Sequence, residues 1–576
     1  MQLINPNDDF FKESLKPYYV ITRDKQYLFA SRQKGRRPDR VFYMVSYGYK
    51  LGRGQRYFDV ETGKQIFEIV EKYLKKAKKI IQYGAYGESE YRVGIKVVTS
   101  IENTHSAYIA WMGKLMMFPS KEMKMPCENY IIPEKLPEEY KNEIGEVWQE
   151  YEKNEPLSLF DFTEMDRDIR KVVNLGIDYF GGAYKKPNLT MVWNKAEQDG
   201  MISYHAGCRD GIILKGLSGT GKTTLTVGND IEQDDALVGM PVYENKKIKK
   251  IKIIGLEAAS FAKSEGVNEK SPEWKGLMKS KEGKIVLALN IDCEGVKYIK
   301  KKIDGYNVVV PVAVKEVGRL KCNSYEESKT RNGRFIFRFS DLNEKWGRKK
   351  YLKMEGLCFR RFDILEPLIR VTNPEMAVAF DSGCESVITS AIEGRKAGET
   401  IRLYAATDFM AGEQAEQACL KLKAYMDMGL EDGNLIFFIV NTGYVGKHDV
   451  NGVEKGNGEK IKVEDTKKLL HLLEKEKIKK WLTHPVFGYL IPDPKEMEEK
   501  GIKNYSRRFN LLNYYAPEEI IEIIRRDIEE RSRYLRELFK GQKKEKEIRN
   551  VINVWKKCRI VGKDKIREFY EENYLY

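Results

Sequence analysis

Gly216-Leu217-Ser218-Gly219-Thr220-Gly221-Lys222-Thr223-Thr224 decides how the rest of this sequence is read. The run satisfies G-x-x-x-x-G-K-[ST], follows the apolar stretch 212–214 and precedes residues able to begin a helix. Its glycines let the backbone curl so that successive amides point at phosphate oxygens, and a following helix N-terminus adds a favourable dipole. Lys222 supplies mobile positive charge and the Thr223 hydroxyl can bind Mg²⁺. A glycine turn that merely joins a strand to a helix is the competing reading, and the full motif in its context outweighs it. The loop identifies a nucleoside triphosphate site without naming the acceptor, because hydrolases and kinases share this cradle.

Working outward, the adjacent carboxylates Asp234 and Asp235 follow closely enough to hold a divalent cation beside that nucleotide, or to form a solvated acidic turn. At 576 residues and 67.0 kDa the chain exceeds one ordinary core, which predicts large domains with a cleft between them. Apolar residues at 42% and charged residues at 32% describe a folding chain with a charged surface, not a disordered one. No stretch approaches the run of about 20 apolar residues that crosses a bilayer, and the opening residues lack a signal pattern; the expectation is a cytoplasmic protein without a membrane partner. The eight cysteines are far apart, with no CxxC pair, and read as free thiols. A formal charge of +15 suits either a nucleic-acid binder or an enzyme of polyanionic substrates.

Local patterns predict a mixed α/β fold. Short apolar runs from Asp24 to Val45 flank a basic turn, a helix spans Lys64 to Ile81, and strand-like runs cover Tyr91 to Ser100 and Ala107 to Met117. Leu136 to Asn154 reads as a helix and connector, Leu435 to Val440 as a strand, and Pro517 to Lys540 as an amphipathic helix. The expected organisation is an N-terminal substrate lobe over 1–200, a nucleotide-binding lobe over 201–540, and a basic helical tail over 541–576.

The phosphate loop and its surroundings resemble the ATP-dependent phosphoenolpyruvate carboxykinase family, in order and spacing, from about residue 28 to 540. The family implies a two-domain fold with the P-loop in a C-terminal mononucleotide-binding domain, ATP as cosubstrate, Mn²⁺ and Mg²⁺ as cofactors, and oxaloacetate or a related small acid as substrate. Lys34-Gly35-Arg36-Arg37-Pro38 is similar to the family's GRSP element, which gives Arg36 the substrate carboxylate. Gly181-Gly182-Ala183-Tyr184-Lys185-Lys186 resembles GGEMKK, and Ile202-Ser203-Tyr204-His205-Ala206-Gly207 resembles SMHCSAN; Lys186 and His205 then join Asp235 as Mn²⁺ ligands, with Asp234 and Thr223 also on metal. Taken alone, Lys186 reads as a surface lysine and His205 as a core histidine. Lys263 lies in a segment similar to FEGGCYAKT and would hold phosphates. Arg334 ends a segment similar to SKTENTR, and Arg370-Val371-Thr372 followed by Phe380-Asp381-Ser382-Gly383 resembles the family's SRLT and FLSG segments, which implies that Arg370 bridges substrate and γ-phosphate. Asn441-Thr442-Gly443-Tyr444 and the segment with Lys460 and Thr466 resemble the elements bounding base and sugar, with Lys460 where the family has arginine.

The departures gather on the substrate side. Phe180 stands where the family has tyrosine, and the residues before Arg370 differ. A same-fold kinase with another small acceptor therefore stays open, as does a nucleotide-binding protein without catalysis. A nucleic-acid-associated ATPase has poor support, because the chain lacks a second motor motif and an aromatic and basic recognition module. Oligomeric state is left open.

Overall fold

The computed structural model describes residues 1–88, 90–120, 124–151, 156–217, 220–221, 225, 231–324, 332–343, 346–347, 350–387, 399–407 and 409–574. Ser218, Gly219, Lys222, Thr223 and Thr224 of the phosphate loop lie outside the described residues. The fold is mixed α/β.

Among the described residues an eight-stranded sheet runs in the order 2–4, 79–86, 93–100, 127–132, 170–175, 157–162, 41–45, with 118–119 added on 79–86. Its strands are apolar at consecutive positions because both faces are covered. Ile81, Val98, Ile132 and Val173 pack with Ile66, Phe67, Val70 and Tyr140 on one face. Their neighbours Ile80, Val97, Ile131 and Val172 pack with Trp111 and Trp193 on the other. The helix Val60–Lys76 starts where the Asp59 side chain accepts from the Thr62 amide at 2.8 Å, and it ends in Lys75 and Lys76, which suit the negative end of the helix dipole. It thus begins and ends earlier than the periodicity predicts, and Lys79–Tyr86 is already a strand.

One expectation is overturned. Ala107 to Met117 reads as a strand, yet Ala107–Met116 is a helix. Nine of its ten residues are buried, so only Lys114 breaks the apolar run and no polar face reveals a 3.6-residue period.

The second sheet has eleven strands, in the order 350–351, 247–255, 236–244, 202–209, 212–216, 354–359, 436–441, 368–371, 490–492, 481–483, with 231–233 added on 202–209. At its centre Ile212–Gly216 lies parallel to Met354–Phe359, which lies parallel to Ile436–Asn441. Chains leaving parallel strands at their C-terminal ends emerge on one edge. The phosphate loop after Gly216 and the turn after Asn441 therefore meet there, and Thr442 Oγ1 donates to Thr220 O at 2.7 Å. A five-stranded sheet joins 20–21 and 27–29 to 287–289, 334–338 and 259–263, which brings the N-terminal basic turn alongside Lys263 and Arg334.

The helix Pro517–Phe539 buries Ile520, Ile523, Ile524 and Leu535. Beyond it, helices Arg549–Ile552 and Lys563–Tyr574 send Val551, Ile566 and Tyr570 into the same core cluster as the central sheet. All eight cysteines are free, six of them buried. Among the described residues no helix is long and apolar enough to cross a membrane.

Candidate functional site

The site starts with an irregular helix. Gly181–Lys185 forms a π-helical turn that continues into the α-helix Lys186–Gln198. Such wider turns concentrate at functional sites because they re-aim side chains. Here consecutive lysines converge on one oxygen: Lys185 Nζ and Lys186 Nζ each lie 2.9 Å from Asp235 Oδ2. Gly181 permits the turn, since a Cβ there would sit 2.7 Å from the Tyr179 ring.

Asp235 is delivered by the short strand Ile231–Gln233, and its other oxygen accepts from or pairs with His205 Nε2 at 2.8 Å. The imidazole is fixed on its far side, with Nδ1 2.8 Å from Ala405 O. Both ring nitrogens face oxygen acceptors, so each contact uses an N–H, and the Nε2 lone pair becomes available to a cation only when the proton between Nε2 and Asp235 has left. Asp234 points elsewhere and accepts from Ser260 Oγ.

The charges in this cluster are unequally shared. Burial raises the Asp235 carboxyl, but Lys185, Lys186 and His205 more than reverse this and hold it well below its usual range. Burial works against charge on both lysines. For Lys185, Asp235 and Glu257 prevail and push its pKa up, Glu257 lying 2.6 Å away. For Lys186, burial prevails, and repulsion from Lys185 and Arg36 adds to it, bringing the pKa down to about 7. Burial also lifts Glu257 to about 7. One lysine is thus held as a cation while its neighbour can present a neutral amine near neutrality.

Tested as metal donors, Lys186 and His205 bring two nitrogens to the two oxygens of the Asp235 carboxylate, donor types that suit a borderline divalent cation. Among the described residues no group of three or more His, Cys, Asp and Glu could hold a metal. A metal here accordingly depends on the lysine, and the depressed Lys186 meets that requirement.

These groups line a cavity of about 550 Å³, together with Arg36, Gly216, Leu217, Gly221, Asp234, Lys263, Arg334 and Phe409. Phe409 floors the cationic side, with Lys186 Nζ 3.6 Å and the Arg36 guanidinium 5.0 Å from its ring centroid. Lys263 and Arg334 face each other across paired strands, and Arg334 is steadied by Asn332 Oδ1 at 2.9 Å. Four cationic side chains beside a phosphate loop make the cavity a receptor for a polyanion.

The structure therefore brings together Arg36, Lys186, His205, Gly216, Leu217, Gly221, Asp234, Asp235 and Lys263. Thr220 is buried behind the loop, its backbone carbonyl held by Thr442. Arg370 is a correction. It lies in the strand Leu368–Val371, with its guanidinium 5.9 Å from the Trp481 ring, and lines a different cavity. Arg334, by contrast, lines the cavity that Gly216, Leu217 and Gly221 border. Neither Lys460 nor Thr466 lines the cleft: Lys460 is exposed on a two-residue strand, and the Thr466 hydroxyl donates to Lys462 O at 3.3 Å within its own helix. Sequence reading also left Lys185, Glu257, Phe409 and Thr442 without these roles. Only the Lys185-Lys186 doublet and the Asn441-Thr442-Gly443 turn carried a local signal.

Residues 20–499 match the family model described as phosphoenolpyruvate carboxykinase, in its ATP-dependent form. A search of curated proteins found no match.

Proposed function

The chain belongs to the phosphoenolpyruvate carboxykinase family and is an ATP-dependent enzyme of decarboxylase and kinase chemistry; from that premise we propose that its substrate is oxaloacetate and its product phosphoenolpyruvate. The observation that carries this reading is the convergence of Lys186 and His205 on Asp235, beside Arg36 and within the cavity that the phosphate loop borders.

Arg36 would take the substrate carboxylate through a forked pair of hydrogen bonds, its guanidinium held flat by Phe409. The bond between the leaving carboxylate and the methylene carbon breaks, its electron pair passes to the ketone oxygen as an enolate, and CO₂ departs. The enolate oxygen then attacks the γ-phosphorus of ATP, and the bond to the ADP oxygen breaks. Lys222, Lys263 and Arg334 would offset charge on the transferring phosphoryl group. Lys186, His205 and Asp235 would hold Mn²⁺, while Thr223 and Asp234 would serve the Mg²⁺ that accompanies the nucleotide. A divalent cation at the first site supplies Lewis acidity to the oxygen on which enolate charge develops. Lys185, tied to Glu257, would keep Asp235 ionised and aimed.

The same reading proposes a substrate lobe over 1–200, a P-loop lobe over 201–540 with a two-domain carboxykinase architecture, a basic tail over 541–576, and a cytoplasmic setting. Enclosure of the cleft would keep water from protonating the enolate or taking the phosphoryl group. The test is direct: oxaloacetate, ATP, Mn²⁺ and Mg²⁺ should give phosphoenolpyruvate, ADP and CO₂ in equal amounts. Tight ATP binding with no phosphoenolpyruvate formed would refute the substrate assignment and leave a kinase of another acceptor.

A further inference from the structure

Arg370, which the cleft does not use, has a setting of its own. Its strand is pinned on both sides, by Phe438 in Ile436–Asn441 and by Leu490 in Leu490–Pro492, so the side chain projects from a rigid platform. The guanidinium is half-buried over the face of Trp481, and a Cβ on Gly433 would lie 2.6 Å from one of its nitrogens. Around it is a cavity of about 270 Å³, whose walls include Ile436, Leu473 and Ile478 and whose mouth carries Lys479 and Glu476.

This arginine lacks the carboxylate partners that three buried arginines of the C-terminal region have. Arg361, Arg402 and Arg531 each meet carboxylates. Among the described residues the Arg370 guanidinium has neither a hydrogen bond nor an ion pair, and burial alone lowers its pKa. Lys479 also lacks a carboxylate partner among the described residues, while its backbone amide is held by Glu496 at 3.0 Å. Glu476 shares the mouth without reaching ion-pair distance of either cation. A half-buried guanidinium with unused donors is unfavourable by itself and becomes favourable when an oxyanion fills the fork.

We propose that this cavity is a second anion site, in which Arg370 and Lys479 bind the carboxylate or phosphate group of a small molecule and Trp481 packs against the rest of it. The site is separate from the catalytic cleft. Ile436 lies at this cavity, whereas the other end of its strand, at Asn441, adjoins the turn that braces the phosphate loop, about 17 Å away at the usual rise per residue.

The test silences the phosphate loop first. In full-length Lys222→Ala protein, calorimetric titration with pyrophosphate, inorganic phosphate and malonate should show saturable binding of at least one anion. The preferred anion tells whether phosphate or carboxylate is recognised. Adding Arg370→Met or Lys479→Ala should weaken that binding on the order of tenfold or more, the loss of one charge-assisted contact. Lys479 is exposed, so its replacement keeps the test valid if Arg370→Met folds poorly. Absence of saturable binding at millimolar anion, or binding that neither replacement weakens, would overturn the proposal.

Discussion

Two buried charge clusters in this molecule are built from the same residue types to opposite ends. Near the C-terminal helix, Arg361, Arg402 and Arg531 interlock with Asp363, Glu385 and Asp527, none of these side chains more than 8% exposed, and the more open Arg526 and Glu530 complete the network at its rim, four cations against four anions. In the cleft, Asp235 meets Lys185, Lys186 and His205 at once, Lys185 being shared with Glu257, and Lys186, His205 and Asp235 are 16–21% exposed toward the cavity. The first cluster is balanced and mostly buried, so its polar groups are satisfied by one another and it ties Pro517–Phe539 to the segment that follows Met354–Phe359. The second opens onto the cavity that Arg36, Lys263 and Arg334 also line, which is the setting the proposed substrate and metal require. Exposure and charge balance, more than residue type, separate architecture from chemistry here.

Replacing the hub of each cluster should separate the two roles. Asp235→Asn is expected to lower kcat on the order of 10³-fold, the scale of losing a central electrostatic group, with a smaller loss of stability than its more buried counterpart. A variant retaining a tenth of native activity would break the contrast from the catalytic side. Glu385→Gln should do the reverse, destabilising by about 3–5 kcal/mol because it strands buried guanidiniums, while the folded fraction keeps its kcat. Equilibrium denaturation and steady-state rates on the same samples decide both.

His105 sharpens the comparison by showing a third treatment of burial, in which charge is avoided. Burial brings its pKa down to about 4, whereas an unfolded chain leaves histidine near 6.5. The unfolded state therefore takes up a proton first as pH falls, and the stability associated with neutral His105 is present above about 6.5 and declines toward pH 4. The linkage amounts to ~3 kcal/mol. Denaturation at pH 7.5 and 4.5 should show that difference shrinking in His105→Asn; an unchanged difference would contradict it.

The smallest effects concern the arginines. Arg334→Met should lower kcat/KM on the order of 10²-fold, and Arg370→Met should change it less than about twofold in assays without added phosphate. Equal losses in the two variants would return Arg370 to the reaction and remove the distinction drawn between their cavities.

Much of the cleft was legible in the sequence because its parts sit in short contiguous motifs. The phosphate loop, the Lys185-Lys186 doublet, His205 and the Asp234-Asp235 pair announce themselves locally, and the structure gathers most of them around one cavity. What escaped depends on strand pairing. Arg334 enters the cleft because its strand lies antiparallel to the one ending at Lys263, and Arg370 leaves it because its strand sits on the far side of Ile436–Asn441. Spacing along the chain carries no information about either partner. Ala107–Met116 hides its helix for a different reason: burial of nine of its ten residues erases the polar face by which a helix is recognised.

The central claim is that Lys186, His205 and Asp235 act as one metal-holding unit, and Mn²⁺ titration followed by electron paramagnetic resonance tests it most directly. The native protein should bind one Mn²⁺ without nucleotide, with the signal of free Mn²⁺ suppressed at stoichiometric loading, and Lys186→Ala, His205→Ala and Asp235→Asn should each abolish that suppression. Undiminished Mn²⁺ binding in all three variants would contradict the account.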